Sequence, residues 1–196
     1  MYLTNKKGVL QALEYISPDD YLEQERNAIN KHEYFKGEIV AMAGASVTHN
    51  RIVANIIRRV GNLLEGTNCE IFPSDLRVSI FSQESFTYPD ATIICNGLDL
   101  SDDKPDTAKN PSVIFEVVSP STEHNDRGRK FFFYMQIPAF REYILIDSTS
   151  YYIQVSRKQP DGSWKFEDLR DLQASLHINT TGHQISLQEI YANVRF

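Results

Sequence analysis

Cysteine is scarce in this sequence, long apolar runs are missing, and there is no excess of positive charge. The only two cysteines among 196 residues are Cys69 and Cys95, and each lies within an apolar run. That context fits reduced, packed thiols better than a disulfide or a zinc site. No apolar stretch reaches the roughly 20 residues of a membrane span, and the N-terminus lacks the hydrophobic core of a secretory signal. The sequence therefore predicts a cytoplasmic protein with no membrane segment.

The formal net charge of −6 argues against one class of nucleic-acid binder. Proteins that coat nucleic acid through bulk electrostatics have a basic domain. An enzyme acting on nucleic acid is not excluded by this charge. Carboxylates that hold a metal ion lower the formal charge, and the bound cation restores positive potential where a phosphate must lie.

The apolar content is sufficient for one substantial core. Hydrophobic residues make up 41% of the chain and charged residues 23%, so a chain of this length can fold without disulfides or a structural metal. No internal repeat or low-complexity segment is present, and the one long polar stretch, 101–111, separates two predicted strands. We therefore predict a single domain over residues 1–196.

Hydrophobic periodicity predicts an α/β (α+β) chain whose central order is α-β-β-β-α-β. A short helix and a hairpin precede this core, and further strands and a closing helix follow it. Such an order favours a mixed central sheet flanked by helices. The predicted elements are a helix from Ser17, a hairpin over 33–40 turning at Lys36-Gly37, a helix over 46–64, strands over 69–80 (in one or two pieces), 88–95 and 112–118, a helix starting at 119–122 and ending at Pro138, a strand over 141–147, a hairpin around Asp161-Gly162 and a helix over 187–192.

Two acidic residues lie where an apolar side chain is expected. Glu116 interrupts the run Val113–Val118, and Asp90 lies near the start of another apolar strand. An ionised carboxylate in a low-dielectric core is costly unless a cation or hydrogen bonds compensate it. Two carboxylates on neighbouring strands would form a site for a hard divalent cation such as Mg²⁺. The structural alternative is that Asp90 caps a turn after Pro89, while Glu116 pairs with a buried cation such as Arg141.

A set of short motifs, in this order along the chain, resembles one nuclease superfamily. A proline-aspartate pair and a glutamate on the next strand are similar to the PD-(D/E)XK nucleases, whose core runs helix, three strands, helix, strand. The full set resembles more closely the bacterial family of restriction endonucleases called Uma-two, and the resemblance covers nearly the whole chain. Its motifs are Glu33-Tyr-Phe-Lys-Gly-Glu-Ile-Val40, His49, Tyr88-Pro-Asp90, Glu116-Val-Val-Ser-Pro-Ser-Thr122, Asp126, Lys130, Tyr134 and Glu142-Tyr-Ile-Leu-Ile-Asp147.

The resemblance implies a restriction-endonuclease-like core in which Asp90, Glu116 and the Val117 carbonyl hold Mg²⁺ or Mn²⁺. The chain departs from the superfamily at one position, because Val118 stands where a lysine follows the glutamate by two residues. The resemblance implies that Lys130 replaces it, orienting the attacking water or stabilising charge that develops on the phosphate.

Helical spacing agrees with that role for Lys130. Asp126, Lys130 and Tyr134 fall at positions i, i+4 and i+8, so they share one face of the predicted helix. The alternative is that Asp126 and Lys130 form only an exposed pair, worth a few tenths of a kcal/mol.

Several other residues are candidate site contacts. His49 leans toward the buried side of the long helix, where it is either a hydrogen-bonded core residue or a contact to substrate or water. Glu33 and Glu38 share a face of the predicted hairpin, and either is a candidate acidic ligand or a solvated strand residue. Three arginines are candidate contacts to the DNA backbone, with an ordinary solvated surface as the alternative: Arg51, Arg127 and Arg129.

These features together predict a metal-dependent endonuclease that hydrolyses phosphodiester bonds in DNA. The alternative is a nuclease-fold binding or assembly module without turnover, which Val118 in place of lysine makes credible. A third hypothesis is a structural domain whose acids are all ion-paired. A homodimer is expected only by analogy with nucleases that cut both DNA strands.

Overall fold

The computed structural model describes residues 2–4, 10–12, 15–80, 84–119 and 123–196. The first half contains β1 (Tyr2–Thr4), β2 (Leu10–Ala12), α1 (Pro18–Asn27), β3 (His32–Phe35), β4 (Glu38–Ala41), α2 (Val47–Leu64), β5 (Cys69–Pro73), β6 (Arg77–Ile80), β7 (Ser85–Thr87) and β8 (Ala91–Cys95). The second half contains β9 (Thr107–Ala108), β10 (Val113–Val118), a π-helix (Asn125–Lys130) that continues as α3 (Phe131–Tyr134), β11 (Glu142–Asp147), β12 (Ile153–Lys158), β13 (Trp164–Leu169), β14 (Ser175–Ile178), β15 (His183–Ser186) and α4 (Leu187–Ile190). Apart from Ser119, the predicted helix start at 119–122 lies outside the described residues.

Six strands form the central sheet, in the order β13-β12-β11-β10-β8-β5. Within it β10 and β11 run parallel, and the other neighbouring strands run antiparallel. A second sheet, in the order β4-β3-β7-β6-β9, contains the predicted hairpin, which β3 and β4 form. The predicted mixed sheet flanked by helices is therefore confirmed. The segment 69–80, expected in one or two pieces, forms two strands, because β5 joins the central sheet whereas β6 joins the second one.

Helix α2 begins and ends where its sequence predicts. The Ser46 hydroxyl caps it by accepting a hydrogen bond from the main-chain N–H of His49 at 3.1 Å, which satisfies one of the donors left free at a helix start. Residues at helical spacing bury one face of α2, and Gly66 follows its end with φ +75°, a conformation that favours glycine. The buried apolar residues of α2 are Ile52, Ile56, Val60 and Leu64.

Alternation along β10 divides the core between the two faces of the central sheet. Phe115 and Val117 belong to the apolar cluster that packs against α2. Ile114 and Val118 belong to an aromatic cluster on the opposite face, together with residues of α3. Because side chains alternate along a strand, Glu116 points to the aromatic face, where the helix after β10 returns across the sheet.

The expectation of reduced cysteines is wrong for this structure. Cys69 and Cys95 form a disulfide with a Cα–Cα distance of 4.0 Å. The reason is the register of β5 and β8, which places the two residues directly opposite each other in an antiparallel pair. The two separate apolar runs gave no sign of this register.

The described part of the chain contains no helix that is both long enough and apolar enough to cross a membrane.

Candidate active site

A single lysine lies at the centre of a buried acidic cluster. The Lys130 ammonium is 2.9 Å from Glu33 Oε1, 3.1 Å from Glu116 Oε1 and 3.3 Å from Asp126 Oδ1. Each of the four side chains is less than a tenth exposed. One buried cation therefore serves three buried carboxyl groups.

The helix that follows β10 brings Lys130 to Glu116. Its first part is a π-helix, whose wider turn is found most often as a short segment at functional sites. Asp126 and Lys130 are both buried on it, and Tyr134 on α3 is fully buried. The Tyr134 hydroxyl is within hydrogen-bond distance of Glu116 Oε1 at 3.1 Å and Thr87 Oγ1 at 3.0 Å. The three residues therefore line one face, as their spacing predicts, and that face is not the exposed one.

The hairpin formed by β3 and β4 supplies the third acid of the cluster. Glu33 pairs with Val40 across the hairpin, and its side chain is buried. Its carboxylate also accepts a hydrogen bond from the main-chain N–H of Tyr88 at 3.2 Å. Glu38 is exposed and binds Arg129 at 2.8 Å. Of the two candidate glutamates, Glu33 is therefore the one that enters the cluster.

Asp90 directly precedes β8, at the point where the antiparallel β10 extends beyond it. Phe115 is opposite Ala91 in the antiparallel ladder, and Asp90 precedes Ala91, so its carboxylate takes the place of the next main-chain acceptor for β10. Asp90 Oδ2 accepts a hydrogen bond from the main-chain N–H of Val117 at 2.7 Å. On its other side, His49 Nε2 lies 3.0 Å from Asp90 Oδ1. The side chain therefore bridges the central sheet and the first turn of α2.

Burial and an excess of acid determine the protonation of this cluster. Burial raises the pKa of Glu116 well above its usual range; the Lys130 charge opposes this effect, whereas the Asp126, Asp90 and Glu33 charges add to it. For Lys130, burial alone would lower the pKa, but Glu116, Glu33 and Asp126 outweigh it and raise the pKa well above the usual value. The ammonium therefore stays charged, and the acids around it exceed what one positive charge can balance.

The environment of His49 is also polarised. Burial opposes its charged form, yet the hydrogen bond and the charge of Asp90, with smaller contributions from Asp126 and the Val117 backbone, raise the pKa of His49 above its ordinary value of 6.5. His49 is thus a partly buried histidine that is hydrogen-bonded to Asp90.

The sequence as a whole matches one family. The family model Uma2, described as "Putative restriction endonuclease", matches residues 18–189. The chain belongs to the Uma2 family.

Relatives and a solved structure cover the chain along most of its length. An uncharacterized protein of Synechocystis sp., slr1290, is 37% identical over 183 residues, which is 92% of this chain and 94% of that protein. A second from the same organism, sll1609, is 34% identical over 171 residues, 87% of this chain and 97% of that protein. A crystal structure of "a putative nuclease belonging to DUF820" from Anabaena variabilis matches with a TM-score of 0.73, at 15% identity, over 90% of this chain and 98% of that one. This last match shows a shared fold.

Several predicted site residues of this Uma2 chain meet in one place. The structure brings together side chains from both sheets, from α2 and from the helix after β10. This convergence agrees with the resemblance of the sequence motifs to those of the Uma2 family. The converging residues are Glu33, His49, Asp90, Glu116, Asp126, Lys130 and Tyr134.

The predicted arginines are placed differently. Arg127 binds Glu123 at 2.6 Å, and Arg129 binds Glu38 at 2.8 Å. Arg51 is exposed on the second turn of α2. The structural alternative for Glu116 is wrong in its partner, since Arg141 donates to the Pro138 and Phe140 carbonyls and Lys130 is the cation beside Glu116.

Three further contacts were not anticipated from the sequence. The main-chain N–H of Tyr88 fixes Glu33, and the Thr87 hydroxyl lies beside Tyr134. Tyr143 of β11 donates a hydrogen bond to the Asp126 carbonyl at 3.0 Å. Two of these residues directly precede Pro89-Asp90, so the motif itself was the available signal. Tyr143 lies within the buried apolar strand β11, where the sequence pattern gave no sign of a contact with Asp126.

Proposed function

We propose that this chain is a Mg²⁺- or Mn²⁺-dependent endonuclease that hydrolyses phosphodiester bonds in DNA. The observation that carries the proposal is the contact of Glu116 with the buried Lys130, within electrostatic reach of Asp90, with more acidic groups than that lysine can neutralise. Buried acidic groups in excess of the available cations favour binding of a small divalent cation, which displaces their protons. Membership of the Uma2 family supports the same reaction class.

The donor set fits a hard cation. Asp90 and Glu116 offer carboxylate oxygens, and the carbonyl of Val117, the residue after Glu116, offers a third, which matches the oxygen ligands that Mg²⁺ prefers. In the described ranges, no group of three or more histidine, cysteine, aspartate or glutamate side chains is arranged so that it could hold a metal ion. We assign the ion to the two carboxylates and the Val117 carbonyl. When bound, the ion would supply charge stabilisation at a phosphate oxygen and a lowered pKa for an attacking water.

The remaining residues hold the reacting groups in place. Lys130 is a fixed ammonium that stabilises negative charge developing on the phosphate and orients a water molecule. Glu33 and Asp126 fix its position through their contacts at 2.9 Å and 3.3 Å. Tyr134 holds Glu116, and His49 holds Asp90. DNA is the partner in this proposal, and exposed Arg51 is the predicted arginine best placed to contact its backbone.

A binding or assembly module without turnover is the competing function. One observation favours it: the Lys130 ammonium already lies among the carboxylates that would otherwise recruit an ion. The two functions differ in whether the cluster accepts a divalent cation in addition to the lysine.

Nicking of supercoiled plasmid in Mg²⁺ or Mn²⁺ tests the proposal. We expect metal-dependent nicking by the wild type and a loss of at least about a hundredfold in Glu116→Gln and Asp90→Asn. Calorimetric metal titration of Asp90→Ala and Glu116→Ala should show affinity weakened by about tenfold or more.

The matched control is Glu38→Gln, because Glu38 lies on the same hairpin as Glu33 but is exposed and paired with Arg129. It should nick at the wild-type rate. Absence of nicking by the wild type, together with unchanged DNA binding in Glu116→Gln, would instead establish the binding module. Unchanged metal affinity in both alanine variants would remove the proposed ion site.

A further inference from the structure

Strand β13 forms one edge of the central sheet. Its inner side pairs with β12 along its whole length, and its outer side has no strand partner in the described part of the chain. Four consecutive residues of β13, 165–168, are exposed. Since consecutive side chains point to opposite faces, side chains on both faces of the sheet are exposed at this edge, although the Phe166 ring also meets the Phe131 ring edge-on at 6.0 Å.

The order of side chains on β13 is self-complementary. Lys165, Phe166 and Glu167 follow one another, with a positive charge on one side of an aromatic residue and a negative charge on the other. If a second β13 runs antiparallel and is centred on Phe166, Lys165 lies opposite the partner's Glu167, and the same contact repeats on the other side of the twofold axis. Directly opposed residues on antiparallel strands share a face and interact.

We propose that two copies of this chain associate through β13, in antiparallel register centred on Phe166, so that the central sheet continues from one protomer into the other. The unpaired main-chain N–H and C=O groups of the edge would then be satisfied, and the exposed Phe166 ring would lie opposite the partner's Phe166. A twofold axis requires this kind of self-complementary patch.

Lys165 and Glu167 are the two charged residues that this pairing requires. Lys165 has no ion pair within the described ranges. Glu167 binds Arg157 through Oε2, and Arg157 is also shared with Glu142 at 3.0 Å, so Glu167 does not have a cation to itself. Charged residues on an edge strand also serve in monomeric proteins to prevent pairing. The two roles make opposite predictions for the oligomeric state.

Sedimentation velocity and native mass spectrometry of the full chain test the association directly. We expect a concentration-dependent species with the mass of two chains. This inference is independent of the proposed nuclease activity, because mass and not DNA cleavage is measured. A wild type that stays monomeric over the whole soluble concentration range would overturn it.

Charge reversal tests the register. Lys165→Glu places acids opposite each other twice, and Glu167→Lys does the same with lysines, so each should weaken self-association by about tenfold or more. The double variant Lys165→Glu/Glu167→Lys exchanges the two charges and should self-associate again. A mixture of the two single variants should form a heterodimer in preference to either homodimer.

The matched control is Glu70→Lys, which reverses an exposed charge on β5, the opposite edge of the same sheet. It should leave dimerisation unchanged. Lys165→Glu alters an exposed residue without an internal ion pair, so it remains informative even if Glu167→Lys loses stability. Unchanged association in Lys165→Glu, or no heterodimer in the mixture, would contradict the register.

Discussion

Two buried glutamates in neighbouring parallel strands differ in how far the surrounding groups compensate their negative charge. Glu142 of β11 is the one whose charge is well compensated. It is 2% exposed. Its carboxylate accepts hydrogen bonds from Arg157 Nε at 3.0 Å, from the Asn179 N–H at 3.1 Å, and from the N–H and hydroxyl of Thr180, both at 2.6 Å. A guanidinium and several donors thus serve one acid.

Glu116 of β10 is almost equally buried, at 4% exposed, but it competes with Glu33 and Asp126 for one ammonium. Burial of an acid is therefore not in itself the sign of a functional site. The sign is a local excess of negative charge that the chain's own cations leave uncompensated.

The largest effect is expected from Lys130→Met. Without the ammonium, three buried acids have no common cation, so the free energy of unfolding at neutral pH should fall by about 3–5 kcal/mol. Urea denaturation measures this. The control Lys109→Met removes a half-exposed ion pair with Asp99 and should cost about 1 kcal/mol or less. Equal losses in both variants would contradict the view that Lys130 holds the cluster together.

A glutamine exchange at each glutamate tests the comparison itself. Glu142→Gln loses a charge-assisted bond to Arg157 and should lower the free energy of unfolding by about 3 kcal/mol. Glu116→Gln should leave it equal or higher, because the substitution removes burial of a charge and repulsion from Asp126 and Asp90. Thermal or urea unfolding distinguishes them. A large destabilisation by Glu116→Gln would make the two glutamates equivalent and end the comparison.

The pH dependence of stability should differ between wild type and Glu116→Gln in chelator. Because burial raises the pKa of Glu116 in the folded state, the folded protein binds more protons than the unfolded chain above the ordinary value of 4.5. Its contribution to stability is therefore favourable at low pH and is lost as the pH rises. The slope attributable to this group is at most about 1.4 kcal/mol per pH unit, and Glu116→Gln should lack it. Parallel curves for both proteins would refute this assignment.

The smallest effect distinguishes the two glutamates of the hairpin. Glu33→Gln weakens the contact that positions Lys130 and should slow plasmid nicking by about tenfold. Glu38→Gln, at an exposed position paired with Arg129, should change the rate less than about twofold. Similar rates for the two variants would show that the buried contact to Lys130 does not matter for cleavage.

Much of this arrangement could be predicted from the sequence. Glu116 and Asp90 were detectable because each interrupts a β-rich apolar run, and the helical spacing of Asp126, Lys130 and Tyr134 placed them on one face. The order of helices and strands followed from periodicity and turn residues. The assignment of Lys130 to the site required the resemblance to a family, because spacing alone equally fits an exposed ion pair.

What could not be predicted depends on contacts between distant elements. The pairing of Cys69 with Cys95 requires the register of β5 and β8, and no local pattern encodes it. The choice of Glu33 over Glu38 depends on the strand order of the second sheet, in which β3 lies between β4 and β7 whereas β4 is an edge strand. The bond from the Val117 N–H to Asp90 arises because β8 begins only at Ala91, so the last residues of β10 have no partner in β8. Strand ends are the least certain feature of a sequence prediction.

The only parallel strand pair in the described part of the central sheet determines which elements can carry the cation of the site. Strands β10 and β11 are joined by a connection that leaves the sheet, turns into the π-helix and comes back over Glu116. The acid and the ammonium are thus carried by one supersecondary unit. Val118 lies on the same face of β10 as Glu116, so a chain with this topology can carry the cation for that acid either on the strand or on the helix that packs against it.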